Sequence, residues 1–158
     1  MAEQPEQPEV PTLPRTWRPF GPRMAAAVFA VILVGAFVWL WVRFDDATKA
    51  SVNVYERGTV IFFIGLGLAL LNGLARSRVV ARPDGLVVVN GYRKRTFAWA
   101  EVGTVRMPRG APWPYLLQVV DGEEERISLL GIQSSDGARA ATAVRELKAI
   151  VAAHRPPK

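Results

Sequence analysis

The chain contains no cysteine, which excludes disulfide bonds, thiolate metal sites and a cysteine nucleophile. Histidine is nearly absent: the single His154 lies near the C-terminal end, where a lone imidazole is expected as a solvated helix-end residue and not as a ligand or base. Phosphate cradles are missing as well. Gly103, Gly110, Gly122 and Gly131 are scattered, and no GxxxxGK[ST] or GxGxxG pattern opens a helix after a strand. The acidic run Glu123-Glu124-Glu125 follows Asp121-Gly122 at an expected hairpin tip, where neighbouring carboxylates stay solvated and have no histidine or cysteine support. These absences predict a protein that is not an enzyme, with no catalytic residue, no metal and no cofactor.

What the chain has in quantity is apolar residue, 50% of it, with 22% charged and a net charge of +6. Met24 to Val42, MAAAVFAVILVGAFVWLWV, carries no charge over nineteen residues; as a helix at about 1.5 Å per residue it covers roughly 28 Å, close to a bilayer's hydrocarbon thickness. Thr59 to Ala75, TVIFFIGLGLALLNGLA, is uncharged over seventeen residues and is bracketed by Arg57 on one side and Arg76 and Arg78 on the other, whose long side chains can snorkel to the interface. Both are apolar on every face, and so small a chain could not surround two such helices as a soluble core. A transmembrane hairpin over 21–77, with spans 24–42 and 59–75, is the expectation. A cleavable signal peptide does not fit the first span, because twenty-three residues precede it and no small-x-small site follows.

Flanking cations set the expected orientation. Arg15, Arg18 and Arg23 precede the first span, Arg43, Lys49 and Arg57 sit in the connection, and Arg76, Arg78 and Arg82 follow the second. The first helix is balanced, so the second decides: both termini in the cytoplasm of a cell-membrane protein. Trp39 and Trp41 with Tyr55 suit the outer aromatic belt, and Trp17 with Phe20 the inner one. Gly65, Ala69 and Gly73, at i, i+4 and i+8, form a ridge of small residues for close approach of the first helix or, alternatively, of a second copy. The opening MAEQPEQPEVPTLP is acidic and proline-rich, so residues 1–20 are expected as a disordered tail.

After Arg78 the period changes. VVA (79–81), the turn Pro83-Asp84-Gly85, LVVV (86–89), Asn90-Gly91 and TFAW (96–99) predict successive antiparallel strands, followed by VGTVRM (102–107), YLLQVV (115–120), the turn Asp121-Gly122 and RISLL (126–130). That is six or seven strands. Ser134, Ser135 and Asp136 are N-cap candidates for a helix that repeats Ala140, Ala143, Val144, Leu147, Ile150 and Val151 at steps of three and four and ends near His154, before Pro156 and Pro157.

A bent antiparallel sheet of about seven strands closed by one C-terminal amphipathic helix is a PH-like architecture. The segments GLVVVNGYRKRTFAWAEVGTVRM, PWPYLLQVVDGEEERISLLGI and SSDGARAATAVRELKAIV resemble the bacterial PH-like domain of small actinobacterial membrane proteins, the low molecular weight protein antigen 6 type. The resemblance covers residues 78–153 and implies a cytoplasmic domain over 78–155 behind the membrane hairpin. Its most recognisable residues, Gly85 to Val88, Trp99, Val102 and LLGIQ, shape a fold and carry no chemistry; fold alone does not transfer a function.

Candidate surfaces remain. Arg93, Lys94 and Arg95, with Arg106 and Arg109 nearby, make a basic group in the half of the chain that holds the whole charge excess: residues 76–158 have fourteen basic and eight acidic side chains, residues 1–75 six of each. On a domain tethered behind a span, these cations can orient it against anionic headgroups at about 1 kcal/mol each, or merely keep a hairpin tip soluble. Specific nucleic-acid binding is not expected, since Phe97 and Trp99 share one strand face that must bury something. Trp113, between prolines in the loop 108–114, is a second surface, suited to protein recognition. The expected function is a membrane-anchored binding or scaffolding module whose partners are the bilayer and another membrane or envelope protein; the alternative is an electrostatic binder of anionic lipid surfaces or, as the lesser option, of nucleic acid, through Arg93, Lys94 and Arg95.

Overall fold

The computed structural model describes residues 10–120 and 123–154. The chain forms two compact units, one of residues 20–76 and one built from the segments on either side of it. In the first unit, helix α1 (Phe20–Arg43) and helix α3 (Val54–Arg76) are joined through a short helix α2 (Asp46–Ser51). Both long helices extend past the uncharged runs that predict them. Ala26, Ala30, Leu33, Phe37 and Trp41 of α1 are the less exposed face, and Val60, Ile64, Gly67, Leu68, Leu71 and Ala75 its counterpart on α3. Steps of three and four along both helices give one continuous seam. Gly67 sits in it: a Cβ there would lie 3.2 Å from Leu33 Cδ2.

Away from that seam the helices are apolar and open. Only 6% of the most apolar window of each is buried, and both are long and apolar enough to cross a membrane. Core helices of a soluble fold would be covered instead. The ridge of small residues does not pack as first expected. Gly65 has nothing within 4 Å of a Cβ position and Ala69 is exposed, while Gly73 alone of the three is buried; at about 100° per residue, it is the neighbouring Gly67 that faces α1.

The polar groups of the connection are used in capping. Asp45 caps α2 by accepting the Thr48 N–H at 2.9 Å. Asn53 Oδ1 accepts the N–H groups of Tyr55 and Glu56, and Glu56 Oε2 accepts the Asn53 N–H in return, a reciprocal capping box at the start of α3. Arg57 donates to the carbonyls of Val52 and Lys49 and lies over the Trp41 ring.

Among the described residues, the second unit holds seven strands in two antiparallel sheets. The four-stranded sheet runs β1 (Arg15–Trp17), β2 (Arg78–Arg82), β3 (Gly85–Asn90), β4 (Arg93–Ala98), and the three-stranded sheet β5 (Thr104–Arg106), β6 (Tyr115–Val120), β7 (Glu123–Ser128). Helix α4 (Ala138–Ala153) buries Ala140, Ala143, Val144, Leu147, Ile150 and Val151, as its periodicity predicts. They pack in one core with Val79, Leu86, Val88, Phe97, Val105, Leu116, Ile127 and Leu129. The close fit shows at Gly131, where an added Cβ would lie 2.5 Å from the backbone C of Arg78 and N of Val79; only glycine lets the segment after β7 approach the start of β2.

Three expectations are corrected here. The segment before the first helix is not simply a tail: Arg15, Thr16 and Trp17 pair with Ala81, Val80 and Val79, so the hairpin is inserted into the domain between β1 and β2. Trp17 belongs to the domain core at 7% exposure and not to a membrane interface. Ser134 to Asp136 form a 3-10 turn, and Gly137, at φ 57°, occupies the cap position of α4. The Asp121-Gly122 turn, residues 1–9 and Pro156-Pro157 lie outside the described residues.

Candidate interaction surface

The Gly91-Tyr92 pair is a two-residue loop in which Gly91 has φ 63°, a conformation that glycine adopts without strain. Asn90, opposite Arg93, does more than turn the chain. Its side chain donates to the Ser128 carbonyl at 2.6 Å and accepts the Leu130 N–H at 3.1 Å, fastening the end of β3 to the segment leaving β7. Gly91 N–H in turn donates to the buried Ser77 hydroxyl at 3.0 Å. The hairpin end beside the basic triplet is thereby anchored from the end of β3 and from the loop.

Arg93, Lys94 and Arg95 are not at the tip, where the sequence places them, but within β4, opposite Asn90, Val89 and Val88. All three are exposed on this edge strand. They are not equivalent: Arg95 forms an ion pair with Glu125 of β7 at 2.6 Å, with both side chains about half exposed. Alternation resumes at Phe97, which is buried. Trp99 does not continue the strand. It begins a 3-10 turn, Trp99–Glu101, held by Glu101 accepting the Ala98 N–H at 2.8 Å. The indole N–H reaches the carbonyls of Arg82 and Pro83, each at 3.1 Å, and the ring stacks on His154 with centroids 4.4 Å apart and planes at 22°. His154 is therefore a half-buried lid on Trp99, with Nδ1 2.9 Å from the Ile150 carbonyl, and not the solvated residue expected.

Arg106 is exposed on β5 and, with Lys148 of α4, lines a shallow groove between the strand and the helix. Arg109 and Trp113 belong to the loop 108–114. That loop is pinned by backbone bonds: Ala111 N–H to Pro108 O, Ser134 N–H to Pro112 O and Leu129 N–H to Pro114 O. Pro114 is fully buried, while Trp113 keeps 37% of its surface exposed, so a rigid frame presents a partly open aromatic. Tyr115 lies under Arg126. Of Phe97, Trp99, Trp113 and Tyr115, Trp113 is the exposed one.

A feature the sequence does not reveal is the clip that holds β1. Glu146 on α4 accepts two hydrogen bonds from Arg15, at 3.1 and 2.7 Å, and one from the Trp17 indole at 2.8 Å. Burial works to raise the pKa of Glu146, but the bonds from Trp17 and Arg15 and the charge of Arg15 outweigh it, so the carboxyl stands below its ordinary value. Among the described residues no three His, Asp or Glu side chains gather as a metal site.

Comparison with known proteins agrees with this architecture. The chain is 29% identical over 143 residues to the uncharacterized protein Rv1417 of Mycobacterium tuberculosis and to the uncharacterized protein Mb1452 of Mycobacterium bovis, an alignment covering 89% of this chain and 87% of each relative. No solved structure matches significantly. Residues 76–149 match the model of the bacterial PH domain, a generally non-catalytic family.

Proposed function

We propose that this protein is a membrane-anchored, non-enzymatic binding module that displays its PH-like domain at the cytoplasmic face of the cell membrane and engages another membrane or envelope protein. The observation that carries this reading is the pairing of β1 with β2. Trp17 and Val79 are register partners, yet α1 starts three residues after Trp17 and α3 ends three residues before Val79. If the helices cross a bilayer, both ends of the hairpin emerge at one domain and hence on one side. The cation excess beside Arg76, Arg78 and Arg82 makes that side the cytoplasm.

The pinned loop with Trp113 is the recognition surface this reading favours, because a rigid aromatic costs little entropy to dock. A photo-crosslinking residue at Trp113, used in intact membranes of cells making the full chain, should capture a discrete membrane protein. Trp113→Ala should abolish its association, and capture of bulk lipid alone would count against the reading.

Arg93 and Lys94 favour a second reading, attraction to an anionic leaflet, because both are exposed on the edge strand with no carboxylate partner among the described residues, whereas Arg95 is tied to Glu125. Replacing Arg93 or Lys94 by glutamine should weaken salt-sensitive vesicle binding by about fivefold each, the factor for roughly 1 kcal/mol. Arg95→Gln should matter less. Equal effects from all three would argue for undirected charge.

A further inference from the structure

We propose that the membrane hairpin carries its own site for a phospholipid with an anionic headgroup, separate from the domain, in the groove between α1 and α3 at the end that bears Phe20 and Ala75. This site rests on the reading that the hairpin crosses the membrane. The groove has a volume of about 460 Å³, within the usual range for small-ligand pockets. Its α1 wall includes Phe20, Met24, Ala26, Ala27 and Ala30, and its α3 wall includes Leu68, Leu71 and the polar Asn72, with Arg23 at its end. Alanines deepen the slot, and from position 23 to position 30 it runs about 10 Å along the helix, the upper part of one acyl chain.

Charge selects the occupant. From Val10 to Phe44 and from Arg57 to Pro83 the chain has no Asp or Glu, and the hairpin itself carries Arg23 and Arg76 at this end. Arg23 is exposed and has no carboxylate in the hairpin at this end to meet. Asn72 and Arg23 are the polar side chains of this lining, too few to hold water along a slot that is otherwise apolar. A second apolar helix would cover the slot but leave Arg23 without a counter-charge. A glycerophospholipid meets both demands: an acyl chain lies along the alanines, and a phosphate accepts the planar, two-pronged guanidinium bonds that arginine offers.

The test uses the full chain in vesicles of equal phosphatidylglycerol and phosphatidylcholine, followed by extraction in mild detergent and measurement of the lipid retained. Resistance to carbonate extraction, checked in the same sample, reports separately on whether the hairpin is integral. The wild-type chain should retain phosphatidylglycerol about fivefold over its bulk share, and Arg23→Gln should remove that preference. Ala27→Leu, which fills the slot and keeps the cation, should reduce total retained lipid, whereas Arg43→Gln at the opposite end should change neither. An integral protein that retains lipid at the bulk ratio overturns the site, as does unchanged preference in Arg23→Gln or unchanged retention in Ala27→Leu. Release by carbonate overturns the membrane-spanning reading itself.

Discussion

The indole N–H of Trp17 donates to Glu146 Oε2 at 2.8 Å, joining a residue that precedes the helical hairpin to one on helix α4. Arg15 adds an ion pair to the same carboxylate at 2.7 Å. A strand of three residues has few backbone bonds of its own. The bonds to Glu146 and the burial of Trp17 are what keep β1 on the edge of its sheet.

The two partners of Glu146 should therefore differ when removed. Trp17→Phe keeps most of the ring but deletes the donor to a charged acceptor, a loss of about 1.5–3 kcal/mol. Arg15 is about half exposed, and Arg15→Ala should cost less than about 1 kcal/mol. Thermal unfolding of the full chain in detergent, followed by the far-ultraviolet signal of the sheets, measures both. The ranking fails if Arg15→Ala is the more damaging change.

Acidity should act on the same clip. The Glu146 carboxyl stands below its ordinary value in the folded chain, so the ionised form is favoured by folding, and its contribution is complete above the unfolded pKa of about 4.3. It is lost as pH falls from there through the lower folded value. In Glu146→Gln that component is missing, and the stability difference from the wild type should shrink across this window. A difference that stays constant with pH would show that the charge plays no part.

The hairpin seam offers a test that the cysteine-free background makes clean. Cysteines at Leu33 and Gly67 face each other across the seam, where a Cβ at residue 67 already comes within 3.2 Å of the Leu33 side chain; mild oxidation should link them within one chain. The pair at Leu33 and Gly65 should not link, because nothing lies near residue 65. Gel mobility after proteolysis in the connection reads the result, and efficient linking through residue 65 would mean that the small-residue ridge packs on α1 after all.

Much of this architecture was legible because its signals are local. Uncharged runs mark α1 and α3, and the spacing from Ala140 to Val151 specifies the buried face of α4 by itself. The clip was not legible. Arg15-Thr16-Trp17 is too short and too close to prolines to show a period, and its partner strand lies beyond the whole inserted hairpin, so pairing alone makes it a strand. Trp17 was assigned to the inner interface because tryptophan beside a span usually sits there, whereas the core of the domain claims it. The basic triplet was seen as one unit; only the pairing of β4 and the course of β7 bring Glu125 to Arg95 and divide it. Asn90 carried a turn signal that concealed its bonds to Ser128 and Leu130.

Substituted-cysteine labelling in cells addresses the account most directly. Single cysteines at Thr16 in β1, Ser51 in the connection and Lys94 in β4 all occupy exposed positions, and the chain has no other thiol to confuse the signal. A membrane-impermeant maleimide should label Ser51→Cys in cells whose outer barriers are opened but whose inner membrane is intact. Thr16→Cys and Lys94→Cys should react only once the inner membrane is permeabilised. Labelling that puts residues 16 and 94 on opposite sides of the membrane, or residue 51 on the same side as both, would contradict a domain closed across a membrane-spanning hairpin.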